Sequence, residues 1–355
     1  MWIHQQFCAQ YFKQILAMTK EQYGEENDIA QEDFLQHQYF KNPAGDALIN
    51  LAVNPETDEL AGQYIVLPMR YMINGQMTKV VCSLNTLTRQ AYRGQGIFTQ
   101  LAEITYNQSY DTGYVFCYGM PNQNSYPGFI KKLAFKEIDE VPLMLRPLCP
   151  SQMAAEYLKK PVLNTVLKPA NCLFRLSERK SDLQFCPVTE ENLDLMDEFW
   201  KAVCGKYNIM NVRDRAYIKF RYLDMPRRKY YPYVAIHEGK PVCFVVGRMM
   251  EVAGMQCAML ADFLFQDGFE EDAQALVRHV LAQLRKRGAS LAGCLMLEHT
   301  HEYRLLKELG FMRCPKRQEP QPFPLLVRRF DDKMQYDKLL DCKNWFFTMG
   351  DYDVI

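Results

Sequence analysis

A basic, glycine-containing turn at residues 93–96 constrains the fold of this 355-residue chain more than any other feature. Residues 81–88, before the turn, are rich in apolar and β-branched side chains and predict a strand. From Ile97 onward the apolar residues have helical spacing and predict a helix. A turn between a strand and a helix directs backbone N–H groups and the positive end of the helix dipole at one spot, which suits a diphosphate. Arg93 adds forked donors, and the two glycines of the turn permit close backbone approach because they lack a Cβ atom.

The same turn resembles a known phosphate-binding loop. The pattern Arg93-x-x-Gly96-x-Phe98 is similar to the Arg-x-x-Gly-x-Gly/Ala loop of the GNAT N-acetyltransferase superfamily, which cradles the pyrophosphate of acetyl-CoA. Phe98 stands where the family has glycine or alanine. This larger side chain affects how tightly the first turn of the helix can pack, and it does not alter the loop itself. By itself, so short a pattern also fits a surface turn that carries an arginine.

A second segment carries the same resemblance. Residues 114–118 predict a short strand, and residues 121–135 resemble the second GNAT signature, an Asn-led helix that ends in Lys-x-Gly-Phe. Ala134 replaces the usual glycine. The two signatures occur in the family's order and spacing, so the resemblance is strongest over residues 60–140 and extends over 1–145. The loop also resembles a subgroup with Arg-Gly-Lys/Gln-Gly-Ile-Phe, often found among polysaccharide- and envelope-related acetyltransferases.

The resemblance implies a site for acetyl-CoA as co-substrate. Backbone groups of Leu87 and Thr88 would pair with the pantetheine arm and polarise the thioester carbonyl. Asn124, or Gln123 in the alternative register, would contact the CoA arm. The residues that would bind the diphosphate are Arg93, Gly94, Gln95, Gly96, Ile97 and Phe98.

Acetyl transfer to an amine also needs a proton donor for the leaving thiolate and a neutral amine. Many relatives place a tyrosine four residues before the glycine of the second signature, where this chain has Ile130. Tyr126, one helical turn earlier, is the candidate acid if its hydroxyl faces the cleft, and otherwise packs at the start of a helix. The candidates for the base are a water relay, a substrate that arrives deprotonated, and the tail carboxylates of Asp351, Asp353 and the Ile355 terminus.

Length and composition predict a globular cytoplasmic protein of two domains. Hydrophobic residues make up 48% of the chain without an apolar run of membrane length, and the first residues do not resemble a signal peptide. Lys plus Arg and Asp plus Glu both number 42, which argues against nucleic acid or an anionic membrane as the main partner. The expected partners are acetyl-CoA and an amine acceptor, in a monomer or a homodimer.

The cysteines and histidines predict no metal site. The 12 cysteines are scattered without a Cys-x-x-Cys pair, as expected for reduced core thiols. Residues 298–302, Glu-His-Thr-His-Glu, form the single histidine cluster. They fit either metal ligation or a polar loop between a strand and a helix, and no third ligand spacing supports a metal.

The periodicity of the chain divides it into four parts. We predict a domain over 1–145, a connector over 146–183, a second domain over 184–335 and an aromatic tail over 336–355. The predicted helices and strands of the first domain lie at 7–24, 30–40, 46–53 and 60–73, with a turn at Asn74-Gly75, followed by the two signatures. Those of the second domain are a helix after a capping box at 188–191, strands at 231–237, 241–250, 255–264 and 290–297, and helices at 269–287 and 302–309.

The second domain resembles a diverged copy of the first. Lys307-Glu308-Leu309-Gly310-Phe311 repeats the pattern of residues 131–135, again after a strand and a helix. Arg93 lies 42 residues before Phe135, and the same offset from Phe311 reaches residues 266–272, which are acidic. Because acids repel a diphosphate, the second copy is expected to have lost CoA binding and to serve as scaffold or substrate wall. The predicted fold class is therefore α/β (α+β), with two GNAT-like domains, each a mixed, mostly antiparallel twisted sheet flanked by helices.

Three functions compete at this point. The first is an N-acetyltransferase acting on a small-molecule amine, with an amino sugar as acceptor from the subgroup resemblance. The second is an inactive acyl-CoA-binding regulator, suggested by Ile130 and Phe98. The third, an aminoacyl-tRNA-dependent transferase of the cell envelope, conflicts with the neutral charge and the intact loop. The aromatic tail, residues 344–355, is expected to pack on the body or to line the cleft between the copies.

Overall fold

A computed structural model describes residues 1–174, 183–330 and 336–352. The strands are β1 (Ile3–Gln6), β2 (Leu48–Val53), β3 (Leu60–Ile73), β4 (Gln76–Thr88), β5 (Phe116–Gly119), β6 (Lys136–Glu140), β7 (Leu143–Pro147), β8 (Gln184–Pro187), β9 (Ile209–Asn211), β10 (Tyr230–His237), β11 (Lys240–Val252), β12 (Met255–Phe265), β13 (Leu291–Leu295), β14 (Met312–Arg313) and β15 (Pro324–Arg329). The α-helices are α1 (Phe12–Tyr23), α2 (Glu32–Phe40), α3 (Ile97–Asp111), α4 (Tyr126–Lys132), α5 (Pro150–Tyr157), α6 (Val162–Val166), α7 (Asp194–Val203), α8 (Arg215–Ile218), α9 (Glu270–Lys286), α10 (His301–Glu308) and α11 (Tyr336–Leu340).

The strands form two sheets with the same topology. The first has the order β1-β2-β3-β4-β5-β15-β6, with β9 paired to the far end of β3. The second has the order β8-β10-β11-β12-β13-β7-β14. In each sheet one central pair is parallel, β4 with β5 and β12 with β13, and the other neighbours are antiparallel. Each sheet is mixed, mostly antiparallel and packed against helices, so the predicted fold class is confirmed.

The two sheets exchange a strand. β15, from late in the chain, lies between β5 and β6 of the first sheet. β7, from the first half, takes the equivalent place beside β13 in the second sheet. The predicted division at residue 145 falls inside β7. The boundary between the two domains stays a prediction. Each sheet contains a strand from the other part of the chain, since β15 belongs to the first sheet and β7 to the second.

Most elements that the sequence pattern predicts are present within a few residues. The turn at Asn74 and Gly75 joins β3 to β4 with both residues at positive φ, as a two-residue hairpin requires. The capping box at Thr189 forms, with Asn192 as the reciprocal partner. Ala134 has φ of +54° and Gly310 has φ of +86°, so the two positions of the repeat share a left-handed backbone. The two copies of the repeat therefore share a backbone conformation as well as a sequence pattern.

No helix of the described residues has the length and apolar character needed to span a membrane.

Candidate functional site

The loop before α3 presents backbone donors without an acidic competitor. Gly94 and Gly96 have φ of +80° and +77°, the left-handed region that glycine adopts without strain. Gly96 is the N-cap of α3, and the first turn of this helix holds no acid. The first N–H groups of a helix have no intrahelical partner, so those of α3 are directed at the exposed loop. The start of α3 packs closely on the sheet, since a Cβ on Gly62 would lie 2.6 Å from Cγ2 of Ile97.

Two arginines flank this loop in different states. Arg89 is ion-paired with Glu59 and lies 3.0 Å from Glu21, and Tyr92 donates to the same Glu59 at 2.9 Å. Arg93 is exposed, and no carboxylate pairs with it among the residues that the structure describes. Arg89 therefore fixes the loop to the body, whereas the guanidinium of Arg93 is available to an anion.

The strand that leads to the loop has an open edge. On one edge β4 pairs with β5 at Val81 and Cys82 and has no further strand partner among the described residues, whereas its other edge pairs with β3 as far as Thr88. Its register against β3 jumps between Ile65 and Gln63, which places a bulge at Asn85. Asn85 has φ of +44°, a conformation that asparagine tolerates better than most residues. We call the unpaired stretch between the end of β5 and the second half of β4 the opening.

Among the described residues, one buried hydroxyl at this bulge is unpaired, whereas the groups of Asn85 are engaged. The Thr86 Oγ1 atom is buried and has no hydrogen-bond partner among the described residues. The Asn85 carbonyl accepts from Gln63 Nε2 at 3.1 Å, and Asn85 Nδ2 donates to the Tyr39 hydroxyl at 2.7 Å. Leu87 is buried and Thr88 half-buried at the end of the strand. An unpaired strand edge with an orphaned hydroxyl fits an extended amide-bearing arm such as pantetheine.

Phe98 fits the first turn of α3 because α4 leaves room for it. A Cβ on Gly128 would lie 3.0 Å from Phe98 Cε1, so the ring packs directly on the glycine. The ring also contacts Tyr64 and Phe129, with centroid distances of 6.0 and 5.8 Å. The bulky side chain is thus accommodated between α3 and α4, and the helix begins at Ile97 without distortion.

The turn before α4 exposes two amide side chains. Asn122 holds the turn, since its Oδ1 accepts from the backbone N–H groups of Asn124 and Ser125 at 3.0 and 3.1 Å. The side chains of Asn124 and Gln123 are exposed and make no hydrogen bond with other described residues. Both remain available to a ligand, so the choice of register between them stays open.

The sequence of this region is similar to that of a known domain family. Residues 7–137 match the sequence profile of the acetyltransferase (GNAT) domain. The matched residues include the strands β2–β5 and the loop before α3. No curated protein matches the chain.

Three solved structures share the fold of the whole chain at low identity. A GCN5-related N-acetyltransferase from Anabaena variabilis ATCC 29413 has a TM-score of 0.66 at 12% identity, covering 93% of this chain and 73% of its own. Saccharomyces cerevisiae N-myristoyltransferase with bound myristoyl-CoA has 0.62 at 11%, covering 92% and 82%. A probable N-acyltransferase of unknown function from Enterococcus faecalis V583 has 0.60 at 10%, covering 93% and 73%.

In the first copy, the hydroxyl of Tyr126 is directed toward β6 and not toward β4. It donates to Glu137 on β6, and this hydrogen bond is the main cause that raises the pKa of Tyr126. β6 is three strands from β4, about 14 Å at a spacing of about 4.8 Å. Donation to a thiolate in the opening would require rotation of this half-buried side chain. Ile130, the position where many relatives have tyrosine, packs against the core beneath α3.

The equivalent opening in the second, GNAT-like copy is filled by the tail. β12 pairs with β13 from Cys257 to Leu260 and then diverges. Thr348 bridges to Met296 at the end of this pairing, and a Cβ on Gly350 would lie 3.3 Å from the Ala261 carbonyl oxygen. The tail therefore takes the space that an extended ligand arm would need.

The loop before α9 carries its own acids. Glu270, Glu271 and Asp272 lie in the first turn, and the Glu270 carboxylate accepts from the Gly268 N–H at 3.2 Å. The second copy is therefore degenerate at both parts of the site.

The tail packs between the two copies. Trp345, Phe346 and Phe347 are fully buried. Tyr118 at the end of β5 donates to the Asp351 carbonyl at 3.0 Å, and the Tyr352 hydroxyl donates to the Met120 carbonyl at 3.3 Å. The described tail thus reaches the end of β5, beside the opening of the first copy.

The side chain of Asp351 anchors the tail. Its Oδ2 lies 2.8 Å from Nη2 of Arg213, and both side chains are fully buried. Arg213 also pairs with Asp262 at 2.9 Å. A substrate amine cannot reach a carboxylate with no exposed surface. Asp351 was a candidate for the general base, and its buried ion pair makes it unavailable for that role. The other tail candidates, Asp353 and Ile355, lie outside the described residues.

The histidine cluster begins a helix. His301 is the first residue of α10, and burial lowers the pKa of His299. Glu302 is buried, 3.0 Å from Nζ of Lys206, and accepts from Tyr207 at 2.5 Å. No group of three or more potential metal ligands occurs in the described part of the chain.

Proposed function

We propose that the protein is an N-acetyltransferase that moves an acetyl group from acetyl-CoA to the primary amine of a small molecule. The observation that carries the proposal is the exposed loop at 93–96, which joins an unpaired Arg93 to the open N-terminus of α3. Helix dipole, backbone donors and a guanidinium act on one anion here. The loop lies at the end of a strand with an open, bulged edge, as an extended thioester requires.

In this proposal the residues of the first copy divide the work. The loop from Arg93 to Phe98 binds the diphosphate, and the backbone of Leu87 and Thr88 holds the pantetheine arm. Asn124 contacts the arm from the other side of the opening. Fixed backbone donors near the bulge at Asn85 stabilise the oxyanion that forms when the amine attacks the thioester directly.

Tyr126 is the proposed acid for the leaving thiolate. Its hydroxyl must leave Glu137, and the exposed carboxylate can then pass a solvent proton back to the phenolate. Asp351 is engaged by Arg213, so the candidates for the base are water, a substrate that arrives deprotonated, and the carboxylates of Asp353 and the Ile355 terminus. The acceptor is an amino sugar, by resemblance of the loop to envelope-related acetyltransferases.

A second candidate function retains acyl-CoA binding but has no catalytic activity. An inactive acyl-CoA-binding regulator would retain Arg93 and the open β4 edge but would lack an acid. The orientation of Tyr126 toward Glu137 and the presence of Ile130 favour it. Under this alternative acyl-CoA binds but CoA is not released with any amine.

Calorimetry with acetyl-CoA tests the binding site. Gly96→Asp places a carboxylate at the N-cap of α3, and we expect it to abolish binding. Gly268→Asp is the matched control, because Gly268 also has positive φ in the loop of the second copy. We expect wild-type affinity in the control. Equal affinity in both variants would contradict the assignment, and an amine-dependent release of CoA would separate the enzyme from the regulator.

A further inference from the structure

Exposed apolar side chains are concentrated in one segment of the chain. Of the eleven large apolar side chains that are exposed among the described residues, six lie between positions 157 and 173, namely Tyr157, Leu158, Val162, Val166, Leu167 and Leu173. The segment covers the end of α5, all of α6 and most of the short helical turn Lys168–Phe174, and we call residues 157–173 the α5–α6 surface. Single exposed apolar residues are ordinary on a protein, whereas a group of them indicates an interaction surface.

Folding does not account for these apolar side chains. Val162 and Val166 lie one turn apart on α6, and each is 65% exposed. β-Branched residues lower helix propensity, and at such exposure they bury little apolar surface in return. Polar residues at these two positions would stabilise the helix at least as well, so the valines favour a contact made outside the chain.

Polar side chains hold the α5–α6 surface in place. Ser151 on α5 is fully buried, donates to Asn164 on α6 at 2.8 Å and accepts from Asn171 on the following turn at 2.9 Å. Glu156 on α5 accepts from the hydroxyl of Ser290, just before β13, at 2.6 Å. The helices are therefore fixed to each other and to the second sheet, with their apolar side chains exposed.

The charges on this surface have one sign. Residues 157–174 include Lys159, Lys160 and Lys168, all exposed, and contain no Asp or Glu. Glu156, the acid directly before the segment, accepts from the backbone N–H of Gln256 at 3.2 Å. The zero net charge of the whole chain argues against a membrane as the main partner, but it does not describe this local excess of positive charge.

Lysines interspersed with exposed apolar side chains fit an anionic lipid surface. Apolar side chains of surface helices enter the headgroup boundary, and neighbouring lysines attract anionic lipids. Tyr157 suits the same depth, because a phenol has an apolar ring and a polar hydroxyl.

The same charges disfavour other occupants of the α5–α6 surface. A second copy of this chain would bring the three lysines against their own counterparts, which repel. An acidic protein would complement the charge but would need a shape that matches six dispersed side chains, whereas a fluid bilayer adapts to them. Charge complementarity and the dispersed apolar side chains together favour a bilayer.

We propose that the α5–α6 surface binds a bilayer that contains anionic lipids. Tyr157, Val162 and Val166 enter the boundary between headgroups and acyl chains, and Lys159 and Lys160 pair with lipid phosphates. The protein lies on the membrane without spanning it. This binding is independent of the acetyl transfer proposed above, because the loop at 93–96 is not part of the surface.

Flotation of the full chain with lipid vesicles tests the proposal. We expect the protein to float with vesicles of phosphatidylcholine and phosphatidylglycerol in equal parts, and much less with phosphatidylcholine alone. Raised salt should weaken the binding, since it screens the lysines. Lys159→Gln combined with Lys160→Gln should lower the partition coefficient about 10- to 30-fold, because each lysine near an anionic surface adds about fivefold. Lys201→Gln, at an exposed lysine of α7, is the matched control and should bind as the wild type does.

A second variant tests the apolar contribution separately. Val162→Ser combined with Val166→Ser removes two exposed apolar side chains, and we expect partitioning to fall about 10-fold or more. Met77→Ser is the matched control, because Met77 is 59% exposed but lies on β4, outside the surface, and it should bind as the wild type does. The melting temperature and the affinity for acetyl-CoA should stay unchanged in all variants, since the substituted side chains are exposed.

Three results would overturn the proposal. They are a full chain that does not float with anionic vesicles, equal binding to neutral and anionic vesicles, and normal binding by either double variant. A wild type that elutes as a dimer and binds no vesicles, together with a valine variant that elutes as a monomer, would assign the surface to contact between two copies instead. Gly96→Asp should float as the wild type does, so a failure of the acetyl-CoA assignment is distinguishable from a failure of this one.

Discussion

Arg89 and Arg93 have the same side chain and lie four residues apart, but the structure gives them different surroundings. Arg89 is neutralised by Glu59 and Glu21, whereas Arg93 is exposed in a loop with two left-handed glycines. Sequence reasoning placed the anion site on Arg93 because it begins the glycine pattern. The structure adds a physical reason, since an arginine already paired with two carboxylates has little attraction left for a phosphate.

We expect Arg93→Ala to weaken acetyl-CoA binding by about 1–3 kcal/mol without changing the melting temperature, since a charge-assisted contact is lost and no internal contact is broken. Arg89→Ala is the matched comparison and should lower stability instead, by about 0.5–1 kcal/mol, because it removes partly exposed ion pairs. Calorimetry and thermal unfolding measure the two effects. Lost stability in the first variant and lost affinity in the second would reverse the two roles.

Substitution of Tyr126 tests whether its hydroxyl donates a proton in the reaction or has only a packing role. If it delivers the proton in the transition state, Tyr126→Phe lowers kcat about 10²–10⁴-fold with a smaller change in the KM for acetyl-CoA. Glu137→Gln should lower kcat less than Tyr126→Phe does, because the phenol remains and water can return the proton that the Glu137 carboxylate otherwise supplies. Steady-state CoA release measures both variants. A phenylalanine variant with normal turnover would return Tyr126 to a packing role and leave water as the acid.

At the scale of elements, periodicity identified the long strands and helices but not the strand exchange. β11, β12 and α9 have extended apolar patterns, and each was predicted within about three residues of its observed bounds. β15 has six residues after a proline-rich segment and was not predicted. No local sequence pattern in so short a strand indicates that it pairs with β5, some 200 residues earlier.

In the candidate site, too, the features set by local sequence were predicted and those set by tertiary contacts were not. The loop at 93–96 and the acids at 270–272 were predicted, because charge and glycine are read directly from the sequence. The bulge at Asn85, the anchoring of Asp351 by Arg213 and the tail within the second copy depend on tertiary contacts. Asparagine's tolerance of positive φ was the one sequence signal available for the bulge.

The strand exchange predicts that neither half folds alone. A fragment of residues 1–174 lacks β15, so β5 and β6 lose their shared neighbour and the buried side chains of Leu325, Leu326 and Val327 are missing from its core. We expect this fragment to be unfolded or aggregated by circular dichroism and size-exclusion chromatography. The full chain should unfold in a single cooperative transition. A fragment with native-like thermal unfolding would contradict this and support a domain boundary near residue 145.

At the scale of the whole molecule, the tail joins the two copies and separates their functions. It fills the opening of the second copy and contacts the end of β5 in the first. Its anchor is the buried ion pair between Asp351 and Arg213. One segment thus closes the degenerate site and forms one wall beside the proposed active one.

We therefore expect Asp351→Asn to destabilise the protein by about 1–3 kcal/mol, because the buried Arg213 loses a charge-assisted contact but keeps its ion pair with Asp262. Deletion of residues 344–355 should also lower stability, since it removes three fully buried aromatic side chains. The deletion should raise the KM for the acceptor while acetyl-CoA affinity stays nearly intact, because the loop at 93–96 is separate from the tail. Thermal unfolding, acceptor kinetics and calorimetry measure the three quantities. Lys343→Ala, just before the deleted segment and exposed, is the control and should change none of them strongly. A truncated chain that keeps its melting temperature and its acceptor KM would show that the tail is neither an anchor nor a wall of the acceptor site.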